Sequence, residues 1–352
     1  MNQHRKPMIY ADALAAAAMW RDADGKPEVE LGALEPTLWR DGELDIADLT
    51  RGLVAAGLRV TMTTNGSMLW KYATSLREAG IDLLRISWHT TDPEIFREIS
   101  GFGDYSTFER GICAAAQAGV RMSFNRVLLK GYIEDLPTQL ELVQRFNLRL
   151  KLLDLLWTPA LATVYQELYQ DWRPVVRRYV LPRTVRIERV NRAGGRRRIR
   201  FFLAGGGVVE VKLGDSVNRS LAPCTRCPHR DVCLEEFGDY LRVEPEMNAY
   251  FCYLRRDVGF GLADILQDGK ASPRAFRARL ETLVASPVDD FLRGATLRFI
   301  LVPFCNFNCA LPGTGITWCH KATGNYFFPK RKAILEAVAS GGRTPQTNLV
   351  PA

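Results

Sequence analysis

The sequence predicts an α/β protein built on a parallel sheet. Between residues 27 and 157, apolar β-prone runs alternate with helical runs at roughly thirty-residue spacing, the pattern of right-handed βαβ units. Each strand run closes in polar or turn-forming residues, and in parallel barrels the chemistry gathers at those C-terminal ends. Composition agrees: 352 residues, 47% hydrophobic and 24% charged, give an ordinary globular core of one large or two smaller domains. No apolar run approaches the eighteen or so residues of a membrane span.

The elements follow in order. Residues 8–20 read as a helix. His4, Arg5 and Lys6 precede its apolar part, but Asp12 interrupts that part and Arg21 closes it early, which argues for an amphipathic helix over an export signal. Pro27 to Leu31 alternates as a short strand and runs into Gly32-Ala-Leu-Glu-Pro36. Asp45 to Gly57 is a helix, capped by its acid and ended by its glycine. Leu58 to Thr64 is a strand closed by Asn65-Gly66, and Leu69 to Ala79 a helix. Asp82 to His89 is a strand finishing in Ser87-Trp88-His89, with Asp92-Pro93 opening the next helix. Phe108 to Ala118 is a helix, Val120 to Leu129 a strand with its turn at Lys130-Gly131, Leu136 to Phe146 a helix, and Arg149 to Trp157 a strand stopped by Pro159. Glu35, Asn65, Ser87, His89, Asn125 and Asp154 fall at or near the strand ends.

The composition then shifts. Eleven arginines lie between Arg173 and Arg200 against one acid, Glu188, so the formal net charge of +8 is a local feature. Arg192 to Arg198, with its paired glycines, reads as a solvated hairpin edge. Residues 184–213 form short antiparallel strands with a turn at Gly205-Gly-Gly207. Asp264 to Leu266 and Ser272 to Leu283 are helical linker, and Thr296 to Phe304 is a β-prone run ending at Pro303.

Seven of the eight cysteines fall in two groups; Cys113 stands apart in a helical run and reads as core. With no export signal, such cysteine usage points to metal or redox chemistry in a reducing cytosol. Cys305-x3-Cys309-x9-Cys319 follows the last strand run. Three thiolates can hold a cubane iron–sulfur cluster and leave one iron open. Zinc on Cys305, Cys309, Cys319 and His320 is the other reading. Cys224-x2-Cys227-x5-Cys233, with Cys252 after a hairpin pattern, suits either a fully ligated cluster or a zinc ribbon.

Taken together, these motifs resemble the radical S-adenosylmethionine (SAM) superfamily. Cys305-Asn-Phe-Asn-Cys309 and Trp318-Cys319 resemble its cluster loop, with the usual two-residue gap widened to nine. Ala33-Leu-Glu-Pro36 is similar to its Gly-Gly-Glu-Pro motif with both glycines replaced, Thr64-Asn65-Gly66 to its third-strand ending, and Ser87-Trp88-His89 to its fourth. The cysteine group at 224–252 resembles the auxiliary-cluster extension called SPASM or twitch. Molybdopterin-precursor GTP cyclases and peptide-modifying members are the nearest in kind.

The resemblance implies a partial (β/α)6 TIM-like barrel whose first strand is supplied by the C-terminus, a circular permutation, plus a small α+β auxiliary iron–sulfur extension. A misassembled reading frame would give the same order. Lys330 to Ala339 resembles a second copy of the first helix. The implied domains are 1–165 (partial barrel), 166–270 (Arg-rich segment and auxiliary region), 271–294 (linker) and 295–352 (permuted strand, cluster loop and terminal helix). The implied cofactors are a catalytic [4Fe–4S] cluster on Cys305, Cys309 and Cys319, SAM, and a second cluster on Cys224, Cys227, Cys233 and Cys252. Glu35, Thr64, Asn65, Ser87, His89 and Asn125 would bind SAM, with Glu35 on its amino group. A cytoplasmic enzyme of this kind would use a flavodoxin- or ferredoxin-like reductant and act, away from membranes, on a peptide, nucleotide or small molecule. The competing expectation is a non-catalytic zinc or iron–sulfur protein with a basic segment for nucleic acid or a partner.

Overall fold

The computed structural model describes residues 7–301, except 33–34, 101–103, 158–160, 163, 192–196, 214–221, 232, 234–239, 253, 256, 264, 268–269 and 285–287. From the N-terminus the chain forms α1 (Tyr10–Asp22), β1 (Glu28–Leu31), α2 (Ile46–Ala55), β2 (Arg59–Thr64), α3 (Leu69–Glu78), β3 (Leu83–Ser87), α4 (Pro93–Ser100), α5 (Tyr105–Gln117), β4 (Met122–Val127), α6 (Leu136–Arg145) and β5 (Arg149–Leu153). Two short helices follow, α7 (Tyr165–Leu168) and α8 (Trp172–Val175), then the meander β6 (Thr184–Asn191), β7 (Arg197–Leu203) and β8 (Val208–Lys212). The remainder is α9 (Ala222–Thr225), β9 (Tyr240–Val243), β10 (Asn248–Tyr250), β11 (Gly259–Gly261), β12 (Leu266–Gln267), β13 (Lys270–Ala271), α10 (Pro273–Leu283), α11 (Val288–Gly294) and β14 (Thr296–Phe299).

Local chemistry explains the boundaries. Asp45 caps α2 by accepting hydrogen bonds from the Ala47 and Asp48 amides, and Asp48 accepts from the Asp45 amide in return, a reciprocal capping box. Asp104 caps α5, and Ser272 caps α10 just before Pro273. The turn from β7 to β8 needs glycine. Gly207 has φ +83°, a Cβ there would sit 2.5 Å from the Val143 carbonyl oxygen, and its amide donates to Asn147 Oδ1 at 2.8 Å.

Twelve strands form one sheet in the order β11-β10-β9-β14-β1-β2-β3-β4-β5-β8-β7-β6. The run from β9 through β14, β1 to β5 and β8 is parallel throughout, with antiparallel hairpins at both ends. β14 lies beside β1 in parallel register (Val29 with Leu297, Leu31 with Phe299), as expected of the spare C-terminal strand. Its other neighbour differs from expectation. That place belongs to β9, not to the barrel's far strand, because β9 offers the buried apolar Leu241 and Val243 to a strand edge that β5 does not reach. The segment β9–β11 is thus part of the same sheet as β1 to β5, and the Arg-rich meander extends it from β5.

One face of the strands is apolar and covered by helices: Val29, Leu31, Val60, Met62, Leu84, Ile86, Phe124, Leu150, Leu152, Val209 and Val211 are all buried in the core. Trp20 of α1 anchors the C-terminal helices there, meeting Phe276 and Phe291 edge-on while its indole N–H donates to the Lys26 carbonyl. That packing carries the chain back to β1 and sets β14 in place.

Three expectations are corrected. The linker at Asp264–Leu266 was expected to be helical, but Leu266 lies in β12, paired with β13. Cys113 is exposed on α5 rather than in the core, since the neighbours that do pack inward are Gly111 and Ala115. Arg198, at the end of the run read as a solvated edge, instead turns into the barrel toward Glu210.

Candidate active site at the strand ends and barrel interior

β1 and β2 are tied at their C-terminal ends by one carboxylate. Glu35 follows β1 and is fully buried. Its Oε1 accepts from the Thr37 amide (3.1 Å), Thr37 Oγ1 (2.5 Å) and Thr64 Oγ1 (2.7 Å), while Oε2 accepts from the Asn65 amide at 2.7 Å. The structure therefore unites Glu35, Thr64 and Asn65. Burial pushes the Glu35 carboxyl above its usual range, against the pull of its four hydrogen bonds. A cation beside it would restore the ionised form.

Ser87 and Asn125 face one another in register across β3 and β4, and Asn125 borders the barrel interior. His89 lies beyond the end of β3 and is buried; its Nδ1 accepts from the Val127 amide at 3.2 Å, which places the ring proton on Nε2. Burial, reinforced by the Arg126 guanidinium, lowers its pKa to about 3, so the ring is neutral at pH 7. Arg126 is itself locked to Asp135 (2.6 Å) and Gln139 (3.0 Å). Asp154, just past β5, is half-buried; its Oδ1 is enclosed without a hydrogen-bond partner, and burial, then the neighbouring Asp171, raises its pKa to about 6.

The inner face of the sheet is charged, where barrels usually pack branched apolar side chains. A cavity of about 310 Å³ is lined by seven cations (Arg85, Arg149, Lys151, Arg198, Lys212, Arg242, Arg298) and two carboxylates, Glu30 and Glu210. Residues of β9 and β14 line it together with residues of β7 and β8, so the sheet curls until its two ends flank one space. Each carboxylate gathers arginines. Glu30 accepts from Thr63 Oγ1 (2.7 Å) and Arg298 Nη2 (2.9 Å) and lies 3.5 Å from Arg85. Glu210 accepts from Arg198 (2.6 Å), Arg200 (3.1 Å) and Arg149. Burial alone would raise both carboxyls; the guanidinium groups overcome it and hold each at about 2. These residues were not singled out from sequence. The signal was present in the alternation of Arg149-Leu-Lys151 and Glu30, but alternation separates two faces without saying which one lines a barrel.

Cys224, Cys227 and Cys252 lie within electrostatic reach of one another. The Cys252 sulfur receives the backbone N–H groups of Leu254 and Arg255, and Arg255 also bonds Cys227. Burial raises the Cys224 and Cys252 thiols, with the neighbouring sulfurs adding to it at Cys224. Among the described residues no three His, Cys, Asp or Glu side chains close on a metal-binding geometry. Cys305, Cys309, Cys319, His320 and the helix at Lys330–Ala339 lie outside the described residues.

Residues 2–140 match the family model described as "Radical SAM superfamily". That stretch is similar to the radical SAM superfamily. The chain is 37% identical over 110 residues to the GTP 3',8-cyclase of Rhizobium etli (31% of this chain, 32% of the relative). It is 35% identical over 136 residues to that of Nitrobacter winogradskyi (38% and 40%). Against a probable GTP 3',8-cyclase of Pyrobaculum aerophilum the identity is 31% over 157 residues (43% and 49%). The chain thus spans about a third to a half of the length of these relatives. Among solved structures, Streptococcus suis SuiB bound to S-adenosylmethionine is similar at 20% identity and TM-score 0.35 (42% of this chain, 34% of that one). Escherichia coli coproporphyrinogen III oxidase (HemN) is similar at 16% and 0.32 (41% and 36%).

The radical SAM family model matched by residues 2–140 implies a [4Fe–4S] cluster and SAM. The described residues suit the SAM end of that pair: a buried carboxyl that a cation would ionise stands at the mouth formed by β1 and β2. The thiol set at 224–252, with N–H groups aimed at sulfur, has the donor chemistry of a thiolate-bound group but is not drawn into a closed ligand set. No helix among the described residues is long and apolar enough to cross a membrane.

Proposed function

We propose that the protein is a radical SAM enzyme acting on a phosphate-bearing substrate held in the charged barrel interior. A [4Fe–4S] cluster on Cys305, Cys309 and Cys319, with SAM, would supply a 5′-deoxyadenosyl radical that abstracts hydrogen from that substrate. The observation that carries the reading is the barrel-interior cavity, with seven cations against two acids. Such an excess in an enclosed space selects a polyanion, and guanidinium groups held by buried carboxylates are oriented in advance. A nucleoside triphosphate, the substrate class named for the GTP 3',8-cyclases, satisfies that chemistry.

Each residue's part follows from its geometry. Glu35, held through Oε1, has a single hydrogen bond at Oε2 among the described residues, and would take the SAM ammonium there. Thr64 and Asn65 fix that carboxylate, and Ser87 and Asn125 present polar groups from the next two strands. His89 stays neutral and positions rather than transfers protons. The cluster loop would be delivered by β14, which supports the permuted order: β14 lies parallel beside β1, and the matched stretch 2–140 contains only Cys113. Cys305 is four residues beyond Leu301, a reach of at most about 14 Å. Cys224, Cys227, Cys233 and Cys252 would hold the auxiliary cluster.

The test is anaerobic reconstitution with iron and sulfide, followed by reduction. 5′-Deoxyadenosine should form from SAM, GTP should increase its formation, and Cys309→Ala should abolish it. Stoichiometric zinc with no cleavage would overturn the reading in favour of a non-catalytic metal protein. Cleavage unaffected by GTP or any other nucleotide would remove the substrate assignment alone.

A further inference from the structure

Native sheets keep their outermost strands short, charged or covered. This sheet does so at one end, where β11 is three residues with glycine at both termini. At the other end the outermost strand is charged and carries a bulge near its start, but it is long. Among the described residues β6 is the longest strand, eight residues or about 26 Å, and it pairs only with β7. Val185, at a bulge between Thr184 and Arg186, and Ile187 are 71% and 53% exposed. Every second residue of such an edge turns both its N–H and its C=O away from the sheet.

From the geometry of this edge we infer that β6 is a docking strand for an acidic peptide segment of another protein, which adds to the sheet in extended conformation. Charge decides the occupant. Arg177, Arg178, Arg186 and Arg189 are exposed on or just before β6, and Glu188 is its single acid. Arg186 lies flat on the Phe202 ring, 3.4 Å from its centroid and 3.7 Å from Glu188, so its guanidinium is fixed near the strand. A second copy of the chain is disfavoured, because a two-fold pairing centred on Ile187-Glu188 sets Arg186 against Arg189. The chain's own residues 302–352 are also basic, with Lys321, Lys330, Arg331, Lys332 and Arg343 against Glu336. A nucleic acid would meet the arginines with its phosphates but has no row of N–H and C=O groups at strand spacing to pair with the edge. An extended peptide alternating apolar and acidic residues answers the arginines, the edge and the exposed Val185 and Ile187.

The experiment is fluorescence anisotropy on the full chain with a labelled peptide alternating glutamate and valine. Controls are its lysine analogue, a form N-methylated at alternate amides, and single-stranded oligothymidine. The glutamate peptide should bind, and the lysine analogue and N-methylated form should not. The double variant Val185→Ser, Ile187→Ser leaves charge and core untouched and should bind the peptide about tenfold more weakly. Equal binding of the N-methylated peptide, or no preference over the lysine analogue, would overturn the inference. So would oligothymidine displacing the peptide while the double variant binds like wild type, an outcome that would make the segment a nucleic-acid patch. None of these readouts depends on cluster or SAM.

Discussion

Glu30→Gln is the most informative single change. Glu30 is buried and joins three strands, since its partners Arg298, Thr63 and Arg85 come from β14, β2 and β3. Its carboxyl falls from 4.5 to about 2 on folding. A depressed acid stabilises the fold fully above its unfolded-state pKa, and that contribution disappears as pH falls through the folded value. A shift of this size corresponds to about 3 kcal/mol at pH 7, lost progressively below about pH 4.5. The variant keeps the shape but leaves two guanidinium groups facing an amide, a loss of similar size to breaking a buried pair. Urea unfolding at neutral pH should therefore show Glu30→Gln about 3 kcal/mol less stable, with the gap to wild type closing toward pH 3. Asp290→Asn is the control: its pair with Arg293 is exposed on both sides, and it should cost under about 1 kcal/mol at either pH. A Glu30→Gln loss no larger than the control's, or one independent of pH, would refute the account of the barrel interior.

Asp154→Asn should act in the opposite sense. The folded-state pKa of Asp154 is raised to about 6, so wild-type stability falls as pH rises from about 4 to 6, and the variant should be about 2 kcal/mol more stable at pH 7.5 yet equal at pH 4 by thermal melting. The His89 ring should show no titration by NMR between about pH 5 and 8; a midpoint near 6.5 would contradict its buried, Val127-bonded setting. Gly207→Ala should destabilise by about 2–4 kcal/mol, through both its positive φ and the Val143 carbonyl, as measured by denaturant midpoint.

The parallel alternation was legible because strand and helix periods differ and each helix carries its own stop signal, so Gly57 and the Asp45 cap fall where expected. Thr64, Asn65 and Glu35 were legible as strand-end residues, and the structure joins them. The charged interior was not. Arg198 looks solvated in a run of arginines, and only the register of β7 on β8 brings it, with Arg200, to Glu210. His89 could be read as polar, but its acceptor nitrogen is occupied by an amide contributed from β4, a contact no local pattern encodes. The place of β9 beside β14 was hidden for the same reason, since strand order among distant segments depends on edge complementarity and not on spacing.

The position of β14 bears on how the molecule assembles. It sits inside the sheet, and its Arg298 meets Glu30 across a separation of 268 residues. During synthesis β1 emerges more than two hundred residues before β14 and β9 only about fifty before it, so β1 above all waits with a bare margin. Closing so long a loop is entropically slow, and the waiting margins are templates for wrong partners. A ribosome-stalled chain ending before Thr296 should therefore engage chaperones and form intermolecular sheet, whereas one that has exposed Phe299 should not. The interior of this barrel comes into existence only once β14 has emerged.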